Sequence, residues 1–221
     1  MCLKMSLAWS LILAAQVPDA PLKVDKERKA VILACTIAPR KLPNLDQVYP
    51  IEVIATFPAP QGQKAHETLV CFTGVKPSDV HRALESLGLK PGKPARGEGA
   101  QASGPLVALS LLLPTADGGT REVPVEKLLV DRKTGKPLPA LQWHFTGSVR
   151  KRPDPEKPEE VYAADLTGTL VSIFPVTDEV VIQSHLTMKE EPLIKLDFNK
   201  TGEYAVPPAG TPVKLVIKVK Q

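Results

Sequence analysis

Aromatic residues make up only 5% of the 221 residues. A core with so few rings has to be filled mostly by Val, Leu, Ile and Ala. The same scarcity speaks against nucleic acid as a partner: grooves for nucleic acid interleave stacking rings with a basic stripe, and the sequence shows no such stripe. Cysteine is rare as well, at Cys2, Cys35 and Cys71. Cys2 precedes the first apolar run, and the two that remain cannot supply a four-cysteine zinc site or an iron–sulfur cluster. No second histidine follows His66-Glu67 at helical spacing, so the zinc-protease pattern is absent. Ser148 follows Phe-Thr-Gly instead of sitting in a Gly-x-Ser-x-Gly elbow. Beyond residue 20 no apolar run reaches the ~20 residues that a membrane-spanning helix needs.

Proline, in contrast, is abundant: 23 residues, about twice the usual share of roughly 5%. Since proline is excluded from helix interiors and central strands, the count predicts many short elements joined by stiff loops. Hydrophobic residues reach 43%, enough for one sizeable core. The net charge of +4 comes from 28 basic and 24 acidic residues interspersed along the chain. The basic run Arg150-Lys151-Arg152 is followed at once by Asp154, Glu156, Glu159 and Glu160, which reads as a solvated loop of mixed charge.

Residues 1–20 carry Lys4 ahead of the apolar run Leu7 to Ala15, then small residues and Pro18. This run has the length of a signal-peptide core and is too short to cross a bilayer, so the segment is expected to be a signal peptide or N-terminal leader. A buried N-terminal element and an uncleaved tether are the alternatives. Export would place residues 21–221 in an oxidising compartment. That would permit a Cys35–Cys71 disulfide, a pairing that spacing leaves open; as small buried hydrophobes the two thiols need no bridge.

The stretch from Lys64 to Pro94 is the most legible. Thr68 to Thr73 reads as a strand covered on both faces, with Leu69 and Cys71 on one side and Val70 and Phe72 on the other. Ser78 is the expected N-cap of a helix whose stripe is Val80, Ala83, Leu84 and Leu87, stopped by Gly88 and Pro91. Earlier, Leu22 to Asp25 and Ala30 to Ile37 predict a hairpin, and Tyr49 to Thr56 a strand that holds Glu52 among apolar neighbours. Later, Pro91 to Pro105 has four glycines and three prolines, a loop expected to be mobile like that at 150–160. Leu106 to Leu113 and Thr120 to Val123 form a hairpin across Asp117-Gly118, and Pro124 opens a short helix to Leu129. Leu141, Trp143 and Phe145 share one face of a strand; Val161 to Leu166 and Thr169 to Phe174 read as a hairpin through Thr167-Gly168; Glu179 to Thr187 fits strand or helix. Val213 to Val219 is a closing strand with Lys214, Lys218 and Lys220 outward. The expected fold is α+β: a β-rich single domain of mostly antiparallel strands and hairpins with two short helices.

Several segments together resemble the YdjY-like domain family of envelope-associated bacterial proteins. They are His66-Glu67; Lys76-Pro77-Ser78 with His81, Ala83, Leu84 and Leu87-Gly88-Leu89-Lys90-Pro91-Gly92; Val123-Pro124 with Leu129; Arg132-Lys133-Thr134-Gly135-Lys136-Pro137; Trp143 with Phe145-Thr146-Gly147-Ser148; and Pro207-Pro208 with Gly210 to Val213. The resemblance covers most of the chain after residue 20. It implies one secreted or periplasmic domain and no particular activity.

Chemistry has one candidate constellation, His66, Glu67 and His81 with Glu52 as a fourth member. A metal or acid–base site needs imidazoles and carboxylates that converge, and these four lie in adjacent elements. Against convergence, His66 and Glu67 would point to opposite faces of a strand, and His81 with Glu85 one turn on is satisfied as a surface pair. Two readings follow. The first is a non-catalytic domain with no cofactor that binds an envelope protein or a ligand. The second is a metal-binding protein or hydrolase that holds a divalent metal on those four residues.

Overall fold

The computed structural model describes residues 20–42 and 47–220. The leader expected at residues 1–20 lies almost entirely outside the described residues. Fourteen strands follow in order: β1 (Leu22–Asp25), β2 (Ala30–Ile37), β3 (Val53–Thr56), β4 (Thr68–Cys71), β5 (Leu106–Pro114), β6 (Thr120–Pro124), β7 (Leu129–Asp131), β8 (Trp143–Phe145), β9 (Arg150–Lys151), β10 (Val161–Tyr162), β11 (Val171–Ser172), β12 (Ile182–Ser184), β13 (Leu196–Phe198) and β14 (Pro212–Val219). Two α-helices, α1 (Pro77–Ser86) and α2 (Ala163–Thr167), join them, with 3₁₀ turns at Val125–Leu128 and Gly202–Tyr204.

Ten strands form one sheet, and eight of these close on themselves in the order β2-β14-β5-β8-β12-β11-β3-β4 and back to β2. Closure depends on shared edges. The same edge of β2 pairs with β1 over Ala30 to Leu33 and with β4 over Thr36 and Ile37. In the same way β5 pairs with β8 at Leu106 and Val107 and with β6 from Ser110 to Pro114. A ring built in this way leaves few long free edges.

Alternation sets the interior. Val31, Leu33, Cys35 and Ile37 of β2, Leu215 and Ile217 of β14, and Leu109, Leu111 and Leu113 of β5 all face one core. Their register places Leu215 opposite both Leu33 and Leu111. Trp143 and Phe145 are fully buried in that core, as the alternation predicts. The indole N–H donates to Glu126 Oε1 at 2.8 Å, which is how a buried acid and a buried ring nitrogen satisfy each other.

Several expectations are corrected. The sheet is mixed: β3–β4 and β11–β12 are parallel. The segment Val161 to Phe174 is not a hairpin, because Val161–Tyr162 pairs with β9 and the chain then turns into α2, which Gly168 ends in the left-handed conformation. Ser78 is not the N-cap. Lys76 holds that place with Pro77 opening the helix, and the Asp79 side chain accepts the Lys76 N–H at 2.9 Å. Glu52, His66 and Glu67 precede their strands. The Val125–Leu128 helix is a 3₁₀ turn. Cys35 and Cys71 are free thiols. Cys71 lies directly opposite Thr36, so alternation turns Cys35 to the other side of the sheet.

The glycine-rich stretch 91–105 is pinned by the Lys93↔Ser103 bridge, by Gly92 N–H to the Phe145 carbonyl and by the Gln183 amide on Ala95.

Candidate functional site

The four residues singled out in the sequence fall in two places. Glu52, His66 and Glu67 meet at the head of the β3–β4 pair, where the loop before β4 folds back. The Lys64 ammonium stands between Glu52 Oε2 at 2.7 Å and Glu67 Oε2 at 2.5 Å, and His66 Nε2 lies 3.2 Å from Glu67 Oε1. Because His66 sits in a turn and not in the strand, the opposite-face objection does not hold. The centre of the group is filled by Lys64 as an internal counter-ion. Burial alone would lower the Lys64 pKa, but the hydrogen bonds it donates to Glu52 and Glu67 outweigh it and raise it. Among the described residues no group of three His, Cys, Asp or Glu side chains is placed to hold a metal ion.

His81 belongs elsewhere. It lies in α1 with its ring edge-on to Phe145 and to Tyr162, at centroid distances of 5.0 and 5.3 Å. Its Nε2 faces Glu85 Oε1 at 3.4 Å, and its Nδ1 lies 2.7 Å from the Tyr162 hydroxyl. His81 Nδ1 and the Tyr162 hydroxyl thus share one hydrogen bond. The Tyr162 oxygen in turn accepts the Ser148 N–H at 3.0 Å. Burial pushes the phenol above the ordinary tyrosine range, against the opposing pull of the Ser148 amide.

These groups line a cleft of about 590 Å³ between α1, α2 and the β9–β10 ribbon, bounded by Ser78, Arg82, Ser148, Arg150, Glu160 and Asp165 as well. Its walls are tied together across the sequence. Asp165 of α2 accepts both the Ser78 N–H at 2.8 Å and the Ser78 hydroxyl at 2.7 Å. A carboxylate from a distant helix thus takes up one free amide at the start of α1. Ser148 Oγ accepts the Ala164 N–H at 3.1 Å. Gly147 has a φ of 67°, and a Cβ there would come within 3.0 Å of Pro91 and 3.2 Å of His81. Of the segments that carry the family resemblance, Lys-Pro-Ser, His81 and Phe-Thr-Gly-Ser each supply a residue to the cleft wall, and Pro91 of Leu-Gly-Leu-Lys-Pro-Gly lies against Gly147.

Sequence reasoning missed Lys64, Tyr162 and Asp165. Tyr162 and Asp165 meet partners 81 and 87 residues away, beyond the reach of any periodicity; Lys64 has one partner 12 residues back and another, Glu67, only three residues on. The other histidines are structural: His144 Nδ1 contacts the Gly104 carbonyl, and His185 Nδ1 accepts the Gln142 N–H. Burial pushes the Cys35 thiol up to about 12 and the Cys71 thiol up to about 11, away from the reactive thiolate form. No described helix is long and apolar enough to cross a membrane.

No curated protein and no solved structure matches the chain. The family model for the YdjY domain matches residues 22–218, nearly the whole chain, and the protein belongs to the YdjY domain family.

Proposed function

We propose that this YdjY domain is a non-catalytic binding module, secreted or periplasmic in a bacterial envelope, that holds a protein or ligand in the His81–Tyr162 cleft. One observation carries the reading: the groups in the cleft that could act as acid, base or nucleophile are already committed to building its walls. The Ser78 hydroxyl donates to Asp165, Ser148 Oγ accepts from Ala164, and the Tyr162 hydroxyl joins His81 Nδ1 to the Ser148 N–H. A wall fixed in advance lowers the ordering cost of binding without activating a reactant. At the rim Arg82 and Arg150 stand exposed in surface ion pairs, Arg82 with Asp79 and Arg150 with Glu160, which a partner can exchange. The export half of the proposal rests on the short apolar run after Lys4, which ends before the family match begins at residue 22.

A nuclear magnetic resonance screen of small molecules and peptides against the isotope-labelled protein tests the site. Binders are expected to shift amides of residues 78–82 and 148–165, and Arg150→Glu is expected to weaken them about tenfold, on the order of 1.4 kcal/mol. Multiple turnover of a hydrolase substrate that disappears in His81→Ala would overturn the reading. N-terminal sequencing from the native host tests the export half. The mature chain is expected to begin between Ala15 and Pro21; an intact Met1 on a cytoplasmic protein would sink it.

A further inference from the structure

Outside the His81 site, a cleft of about 370 Å³ opens where the loop before β4 faces the segments that follow α2 and β11. Helix α2 gives Asp165 to the His81 cleft and Thr167 to this one. Its volume lies at the small end of the roughly 300–1,000 Å³ of ligand pockets, the size for one small molecule.

Charge in its wall is balanced from behind. Lys64 and Glu179 are the ionised side chains that line it; Lys64 donates to Glu52 and Glu67, and Glu179 pairs with Lys151. An ion entering the cleft meets no unmatched counter-charge. The neutral polar groups differ. Thr169 is only 5% exposed and its backbone N–H is bonded to Thr167 Oγ1, yet its hydroxyl has no hydrogen-bond partner among the described residues. A hydroxyl so enclosed has to take its bond from water or a ligand. The Thr177 hydroxyl oxygen accepts the Glu179 N–H and keeps its own proton to donate. The exposed Gln63 amide bonds to no described group, which leaves both donors and an acceptor, and Lys64 keeps a third N–H beyond the two it gives to the glutamates. Val53 and Val176 add the apolar part of the wall.

We propose that this cleft binds a sugar, a neutral ligand whose neighbouring hydroxyls both donate and accept, with Thr169, Thr177 and Gln63 as the recognising groups and the two valines against the ring carbons. A ligand hydroxyl can satisfy the Thr169 hydroxyl in either sense, as donor or acceptor. The site is separate from the His81 cleft and stands whether or not that cleft binds anything.

Titration of the isotope-labelled full chain with glucose, galactose and N-acetylglucosamine, followed by amide shifts, tests it. At least one of these sugars is expected to bind with a Kd of about 1 mM or tighter, shifting amides at Gln63, Thr169 and Thr177 and leaving those of residues 78–82 in place. Thr169→Val nearly keeps the side chain's shape and removes no side-chain bond within the protein, so it is expected to fold and to weaken that sugar by about tenfold or more. Gln63→Ala, at an exposed position, is expected to weaken it as well. Cyclohexanol, a ring of similar size with a single hydroxyl, is expected not to compete. Arg150→Glu in the other cleft is expected to leave sugar binding unchanged, so failure at one cleft is read separately from failure at the other. No binding by any of the sugars, equal binding of cyclohexanol, shifts confined to residues 78–82 and 148–165, or full binding by both variants would overturn the site.

Discussion

Lys64 decides what the Glu52, His66 and Glu67 group can do. Its ammonium takes the position between the two carboxylates that a cation would need. Removing it leaves two half-buried acids facing each other, so Lys64→Met is expected to cost about 1–3 kcal/mol at neutral pH by urea unfolding. The pH dependence has a definite sign. The folded pKa of Lys64 is raised above its ordinary 10.5, so its stabilisation is fully present below that value and is lost as pH climbs through the higher folded one. Wild type should therefore lose more stability than Lys64→Met between pH 10 and 12. Equal alkaline slopes would show that the ammonium is not the counter-ion.

Helix α1 carries the clearest agreement between pattern and packing. Val80, Ala83 and Leu84 are buried and Leu87 is partly so, as the spacing requires, while Glu85 is half exposed. Leu84→Ala is expected to destabilise by about 2–5 kcal/mol, and Glu85→Ala, which loses only a 3.4 Å contact to His81, by roughly 0–1 kcal/mol. Equal losses in denaturant would contradict the packing. Elements of this kind were legible because alternation or a 3.6-residue stripe runs long enough to see: β2, the β5–β6 hairpin with its Asp117-Gly118 turn, α1 and β14. Helix α2 was not. Its five residues are too few for a periodic stripe, and the Gly168 that stops it looks locally like a hairpin turn. The two parallel pairings were hidden for a different reason, since each depends on partners brought together by a crossover and not on the strand's own residues. The candidate site was half legible: His66, Glu67 and Glu52 do meet, but the bridge from Lys64 back to Glu52 and the separation of His81 depend on how distant segments pack.

On the scale of the whole molecule, β14 is the strand on which the ring depends. Its alternation predicts a closing strand with lysines outward, yet it lies between β2 and β5 and bonds to both along nearly its full length. Which neighbours a strand takes is not written in its alternation. A chain truncated after Ala209 is expected to lack cooperative unfolding and to be digested rapidly by protease, whereas truncation after Val219 should behave as wild type; a compact, cooperative Ala209 truncate would contradict the central placement. The order of synthesis adds a further consequence. Because a ribosome delivers β2 and β5 long before the residues that join them, the barrel cannot close on a partly made chain. A nascent polypeptide of this kind stays an open chain until β14 has been made, so its two central edges wait unpaired through most of synthesis.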